Sequence, residues 1–125
     1  SRTYRLRNGV LKQLTRDHSL VQEQIEKGII TLKEARTSPH RNIILCALGT
    51  GENPALDVIT GKTCVGDLFL LCSDGLTDMI EDDQILRILT SSQGLSGIAD
   101  NLIAAAKQAG GKDNVTVVLS RIEAQ

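Results

Sequence analysis

The chain has 125 residues, 41% of them apolar, and a formal net charge of -1. That length fits a single domain with a modest core, and balanced charge with a pI near 6.1 excludes the basic field that would hold nucleic acid or an anionic lipid surface. No apolar run approaches the about 18 residues of a membrane span, and no charged-then-apolar leader opens the chain, so a soluble, cytoplasmic protein with no membrane partner is expected.

The chain opens as strand, turn and strand. Tyr4 and Leu6 alternate with Arg5 and Arg7, Asn8-Gly9 supplies the positive φ of a tight turn, and Val10, Leu11 and Leu14 continue. A natural domain seldom begins inside a hairpin, so the sequence reads as a piece of something longer. From Ser19 to Lys27 the apolar positions Leu20, Val21 and Ile25 suit an amphipathic helix, with Asp17 or Ser19 as cap and Gly28 at its end. Thr31 and Glu34 form a capping box for a second, short helix. A loop, TSPHRN, leads into IILCAL, which reads as a strand before the turn GTGENP. ALDVIT and DLFLLC read as two more strands, separated by Gly61 and Gly66. Helices are expected over Glu81 to Thr90, with Ile85, Ile88 and Leu89 on one face, and over Ser96 to Ala109, with Ile98, Leu102, Ile103 and Ala106. Gly110-Gly111 ends the last helix, and NVTVVLSRI closes the chain as an alternating strand. Strands in antiparallel-looking runs with helices between them give an α+β fold.

The three cysteines, Cys46, Cys64 and Cys72, lack any CxxC spacing and each sits in an apolar stretch. They read as small core residues in a reducing compartment.

Two stretches carry chemistry. In LFLLCSDGLTDM an apolar strand runs into Asp74, with Gly75 beside it to let the backbone turn. In GGKDNVTVVL, Asp113 and Asn114 stand at the start of the last strand. Each aspartate taken alone is also an ordinary turn former. If the two strands are neighbours, both carboxylates meet at one rim of a sheet, where hard oxygen ligands suit Mg²⁺ or Mn²⁺. Two carboxylates are too few for a dinuclear site, so a metal rim and a pair of turn aspartates both remain open at this point. Among other polar residues, His18 reads as a helix-entry residue bonded to backbone, His40 as a solvated loop residue with substrate contact as the alternative, Arg41 as a loop cation able to reach a phosphate but without a second basic group beside it, and Asp67 as a turn residue. Asp78 and Glu81-Asp82-Asp83 read as a solvated helix start.

CSDGLTD followed by GGKDNVTVVL, in that order and at that separation, resembles the last two signature motifs of the metal-dependent protein phosphatases, the type 2C serine/threonine phosphatase family. SRTYRLRNGVLKQLTRDHSLVQ is similar to the stretch leading into the flap of bacterial members, and TLKEARTSPHRNIILCALGT to the flap and the strand after it. The match runs over essentially all of the chain. It departs at Ser38 and Cys46, where bacterial relatives often carry histidine and arginine.

The resemblance implies part of an α-β-β-α sandwich, two antiparallel β-sheets flanked by helices, with residues 1–125 as the C-terminal portion of one catalytic domain. It implies Asp74 and Asp113 as metal ligands, Gly75 and Asn114 supporting them, and His40 and Arg41 as flap or substrate contacts. The implied cofactor is a pair of Mn²⁺ or Mg²⁺ ions, which lower the pKa of a bridging water for in-line attack on phosphoserine or phosphothreonine of a protein. The family's phosphate-binding arginine and early acidic ligands lie in a preceding half whose motifs are absent from this sequence. The chain alone is therefore expected to be inactive, to bind metal weakly and to need that half as its partner. The alternative is a non-catalytic binding module that self-associates through exposed sheet surface.

Overall fold

A computed structural model describes residues 1–45, 51 and 56–125. The chain packs as two compact units, one of Ser1–Thr15 with Thr60–Gln125 and one of Arg16–Ile59.

The first unit is built on an antiparallel sheet of β1 (Arg2–Arg7), β2 (Val10–Gln13), β3 (Leu68–Cys72) and β4 (Val117–Arg121), in the order β2-β1-β3-β4. The β1–β2 turn forms because Asn8 and Gly9 take φ of 49° and 74°, the paired left-handed conformation of a two-residue hairpin. Register then decides the faces. Tyr4 stands opposite Leu70, which stands opposite Leu119, and Leu6 pairs with Leu68. These residues, with Cys72 and Val117, share the side covered by helices. The other face carries Thr3 opposite Leu71 and Val118, and Arg5 opposite Phe69.

Three helices accompany the sheet: α3 (Asp74–Thr77), α4 (Asp82–Leu89) and α5 (Leu95–Gln108). Ile98, Leu102 and Ala106 recur every four residues along α5 and are fully buried, and Ile85 and Leu89 do the same on α4. Their core also holds Tyr4, Leu70, Leu76 and Ile80, and burying a side chain such as Leu70 stabilises the fold by about 1.5–3 kcal/mol. The Tyr4 hydroxyl donates to Asp82 Oδ1 at 2.9 Å and accepts from Arg2 Nη1 at 2.9 Å. Asp82 is thus a fastener between the sheet and α4 as well as an exposed acidic residue at a helix start.

The second unit holds α1 (Leu20–Glu26) and α2 (Leu32–Thr37). Ser19 is the N-cap of α1, its hydroxyl accepting the Gln22 N–H at 3.2 Å, and Thr31 caps α2 by accepting the Glu34 N–H at 3.2 Å. Arg16 clamps Glu26 with two hydrogen bonds of 2.8 and 2.6 Å, which hold the Glu26 carboxyl down at about 2.

Several expectations change. ALDVIT is not a strand over its described part: residues 56–60 are irregular, with Leu56, Val58 and Ile59 exposed. The adjacent pair Val58 and Ile59 breaks the alternation there, and no strand among the described residues pairs with it. The described part of IILCAL, residues 43–45, contributes an isolated bridge from Ile44 to Ser19; residues 46–48, including Cys46, and most of GTGENP lie outside the described residues. The last strand begins at Val117, so Asp113 and Asn114 occupy the loop before it. Cys72 is buried as expected, its thiol pushed up to about 11 chiefly by desolvation. Cys64 is exposed instead, in a loop where its N–H serves Asp67.

Candidate metal centre

Asp74 is the first residue of α3, two positions beyond the last residue of β3. Because β3 and β4 are adjacent and antiparallel, with Cys72 opposite Val117, the loop that carries Asp113 into β4 arrives at the same end of the sheet. The expectation of neighbouring strands thus holds, and both aspartates lie at one rim.

Backbone contacts join the two loops. The Ser73 N–H donates to the Thr116 carbonyl at 3.0 Å. The Ser73 hydroxyl accepts the Thr116 N–H at 3.0 Å and donates to the Asn114 carbonyl at 3.4 Å. Gly75 is buried and helical, so its role differs from the turning freedom read in the sequence. A Cβ at this position would stand 2.0 Å from the Asn114 carbonyl oxygen, so only glycine lets the α3 backbone approach the Asp113-Asn114 loop this closely.

The Asp74 and Asp113 side chains are exposed. Among the described residues Asp74 makes no ion pair, and Asp113 Oδ1 accepts the N–H of the next residue, Asn114, at 2.7 Å. Asn114 thus supports the loop through its backbone. Two exposed carboxylates beside a cradle that excludes a Cβ fit part of the oxygen ligand set of Mn²⁺ or Mg²⁺. They do not complete it, since no group of three or more His, Cys, Asp or Glu residues gathers among the described residues.

Other candidates take different places. His40 and Arg41 are exposed in the second unit. The His40 N–H donates to Ser38 Oγ at 3.1 Å, and Arg41 Nη1 donates to the Ser38 carbonyl at 3.1 Å. Ser38 thus organises the loop that presents both. His18 places Nε2 2.5 Å from Asp57 Oδ2, while its carbonyl accepts the Leu45 N–H, so its side chain meets a carboxylate rather than backbone.

Asp67 proves more than a turn residue. Its carboxylate is 1% exposed and receives Arg7 Nε at 2.7 Å, Arg7 Nη2 at 2.6 Å and the Cys64 N–H at 2.9 Å. The Arg7 hydrogen bonds hold it down at about 2. Sequence reading missed this pairing because Arg7 and Asp67 meet only once β1 and β3 are in register. The short helix α3 was also missed, since four residues carry no period.

Comparison with known proteins gives this rim a context. The family described as Stage II sporulation protein E (SpoIIE) matches residues 16–123, and the chain belongs to this type 2C serine/threonine phosphatase family. It is 44% identical over 119 residues to the serine/threonine phosphatase stp of Listeria monocytogenes, covering 95% of this chain and 47% of that protein. It is 41% identical to the protein phosphatase PhpP of Streptococcus pneumoniae, covering 95% of this chain and 48% of that one. The chain thus spans about half the length of these curated relatives. Among solved structures, the Mycobacterium tuberculosis serine/threonine phosphatase PstP/Ppp superposes with a TM-score of 0.87 at 41% identity, over 98% of this chain and 52% of that one. The catalytic domain of PstP in complex with 2 manganese ions gives 0.82 at 37% identity, over 98% of this chain and 50% of that one.

Proposed function

We propose that this chain is the C-terminal portion of one catalytic domain of a metal-dependent protein phosphatase, which removes phosphate from phosphoserine and phosphothreonine of proteins in the cytoplasm. Asp74 and Asp113 each supply a carboxylate to a site for Mn²⁺ or Mg²⁺. Gly75 and Asn114 hold the two loops together, and His40 and Arg41 of the flap contact the phosphorylated substrate. The observation that carries this reading is the closure of the Asp74 turn onto the Asp113 loop, at a distance only glycine permits.

When bound, the metal ions would supply hydroxide at neutral pH by lowering the pKa of their water. This chain's part is positional. Short, hydrogen-bonded turns fix two carboxylates at strand ends, and the site stays at the exposed rim where a phosphorylated side chain can enter.

The remaining ligands and the phosphate-binding cation belong to the preceding half of the protein, which we assign to the uncovered face of the sheet as the second layer of an α-β-β-α sandwich. That face supports the assignment. Val10, Leu71 and Val118 are 65, 45 and 55% exposed there, and the buried Nε of Arg5, on the same face, has no acceptor among the described residues. A covering layer with an acceptor opposite Arg5 removes both defects.

The same face favours a second reading, in which the chain alone pairs with another copy of itself through the bare sheet. The test compares the 125-residue chain with its longer parent in Mn²⁺-dependent hydrolysis of p-nitrophenyl phosphate. An active parent, a silent chain and loss of the parent's activity on Asp74→Ala support the proposal. Hydrolysis by the short chain that depends on Asp74 overturns the assignment of missing ligands to another half. A silent parent with a dimeric chain in sedimentation favours the second reading.

A further inference from the structure

Asp74 and Asp113 have no covalent or secondary-structural reason to keep a fixed separation, since one opens a four-residue helix and the other lies in a loop. Beside the close approach of Gly75 to Asn114, the hydrogen bonds that join the two loops come from the residue before Asp74. Ser73 donates its N–H to the Thr116 carbonyl, accepts the Thr116 N–H on Oγ and donates that hydroxyl to the Asn114 carbonyl. One side chain therefore continues the β3–β4 ladder past its last backbone pair, Cys72 opposite Val117, and it joins the residue before Asp74 to the residue after Asp113. The hydroxyl makes no cap bond to α3, so stabilising that helix does not account for it.

We propose that Ser73 is a positioning residue of the metal centre: its hydroxyl sets the spacing of the Asp74 and Asp113 carboxylates by pinning the Asp113 loop through Asn114 and Thr116. This inference rests on the reading of the two aspartates as ligands. Alanine at Ser73 removes both side-chain bonds and leaves position 73 only its backbone bond to the Thr116 carbonyl, whereas threonine keeps the hydroxyl.

The test uses the longer parent protein and titrates Mn²⁺ by electron paramagnetic resonance, with amide hydrogen exchange read on the metal-free form. Ser73→Ala is expected to weaken Mn²⁺ binding about 10-fold, as loss of an outer-shell partner does, and to speed exchange at the Thr116 amide while the core amides of α5 stay protected. Ser73→Thr is expected to restore both. Mn²⁺ binding unchanged in Ser73→Ala overturns the inference, as does weakened binding that Ser73→Thr fails to restore or that comes with lost protection across α5. Asp74→Asn and Asp113→Asn serve as the reference. If they leave Mn²⁺ binding intact, the ligand reading itself fails; if they abolish it and Ser73→Ala does not weaken it, only the positioning role fails.

Discussion

The strand β3 is bracketed by two aspartates with opposite fates. Asp67, one residue before the strand, is buried, clamped by both arms of the Arg7 fork and bonded by the Cys64 amide. Asp74, two residues after it, is exposed and carries no cation partner among the described residues. The residue type and the distance from the strand are nearly the same, and what differs is what β1 and β4 bring alongside. At one end β1 delivers Arg7, which saturates a carboxylate; at the other, β4 delivers the backbone of Asn114 and Thr116, which fixes the turn and leaves the carboxylate free to bind. A carboxylate already saturated by protein donors stabilises a fold, and one held in place but unsaturated is available to a ligand.

The contrast is broken most sharply by neutralising each aspartate in the longer protein. Asp74→Asn is expected to lower Mn²⁺-dependent hydrolysis by more than the about 100-fold that loss of an outer-shell partner costs at most. Its thermal midpoint should hardly move, as for other surface substitutions. Asp67→Asn should reverse the pattern, lowering the midpoint while leaving hydrolysis of the folded fraction intact, because Arg7 is left without its partner. Steady-state kinetics and thermal melts on both variants decide the matter, and a loss of activity in Asp67→Asn at full stability would end the distinction.

Next in size is Gly75→Ala. The added Cβ meets the Asn114 carbonyl, so the backbone must shift at a cost of about 1–3 kcal/mol, read by urea denaturation, and the shift should weaken Mn²⁺ binding as well. A variant as stable and as tightly metal-bound as the parent would show that the loops do not need to touch.

The smallest effect is one of pH. Asp67 sits at about 2 in the fold against an ordinary 3.8. Its lowered value contributes stability that is fully present above the unfolded value and is lost as pH falls from about 3.8 through about 2. Acid titration followed by circular dichroism should show this component in the wild-type chain and a smaller one in Arg7→Leu. At the alkaline end Cys72, raised to about 11 by burial from an ordinary 9.0, favours the fold at lower pH. That contribution disappears as pH rises from about 9 through about 11, and Cys72→Ala should remove the alkaline component.

Much of this was legible in the sequence. The hairpin at Asn8-Gly9, the caps at Ser19 and Thr31, and the periodic helices α4 and α5 follow from local chemistry, and the motif around Asp74 and Asp113 pointed to the rim. What was not legible is relational. The Arg7–Asp67 clasp and the Tyr4–Asp82 bond exist only because β1 lies beside β3 and α4 packs near β1, which no local pattern encodes. Gly75 was flagged for the wrong reason, because a close approach leaves no trace in the sequence when its partner lies in a distant segment. The failure at ALDVIT has the same origin: an apolar run becomes a strand only where a ladder is there to receive it.

The sheet order has one more consequence. β2 and β3 flank β1 and run parallel to each other, so the chain leaves β2 at the end of the sheet that carries Asp74 and must travel the length of the sheet before entering β3 at the other. In chain order residues 16–59, with His40 and Arg41 among them, lie between these two points, and the Arg7 fork, which also grips the Lys62 carbonyl at 3.0 Å, moors the end that returns to the sheet. A detour moored in this way is mechanically separable: its length and contents can change without moving the strands on either side, because the sheet is tied to its last residues and not to what lies between.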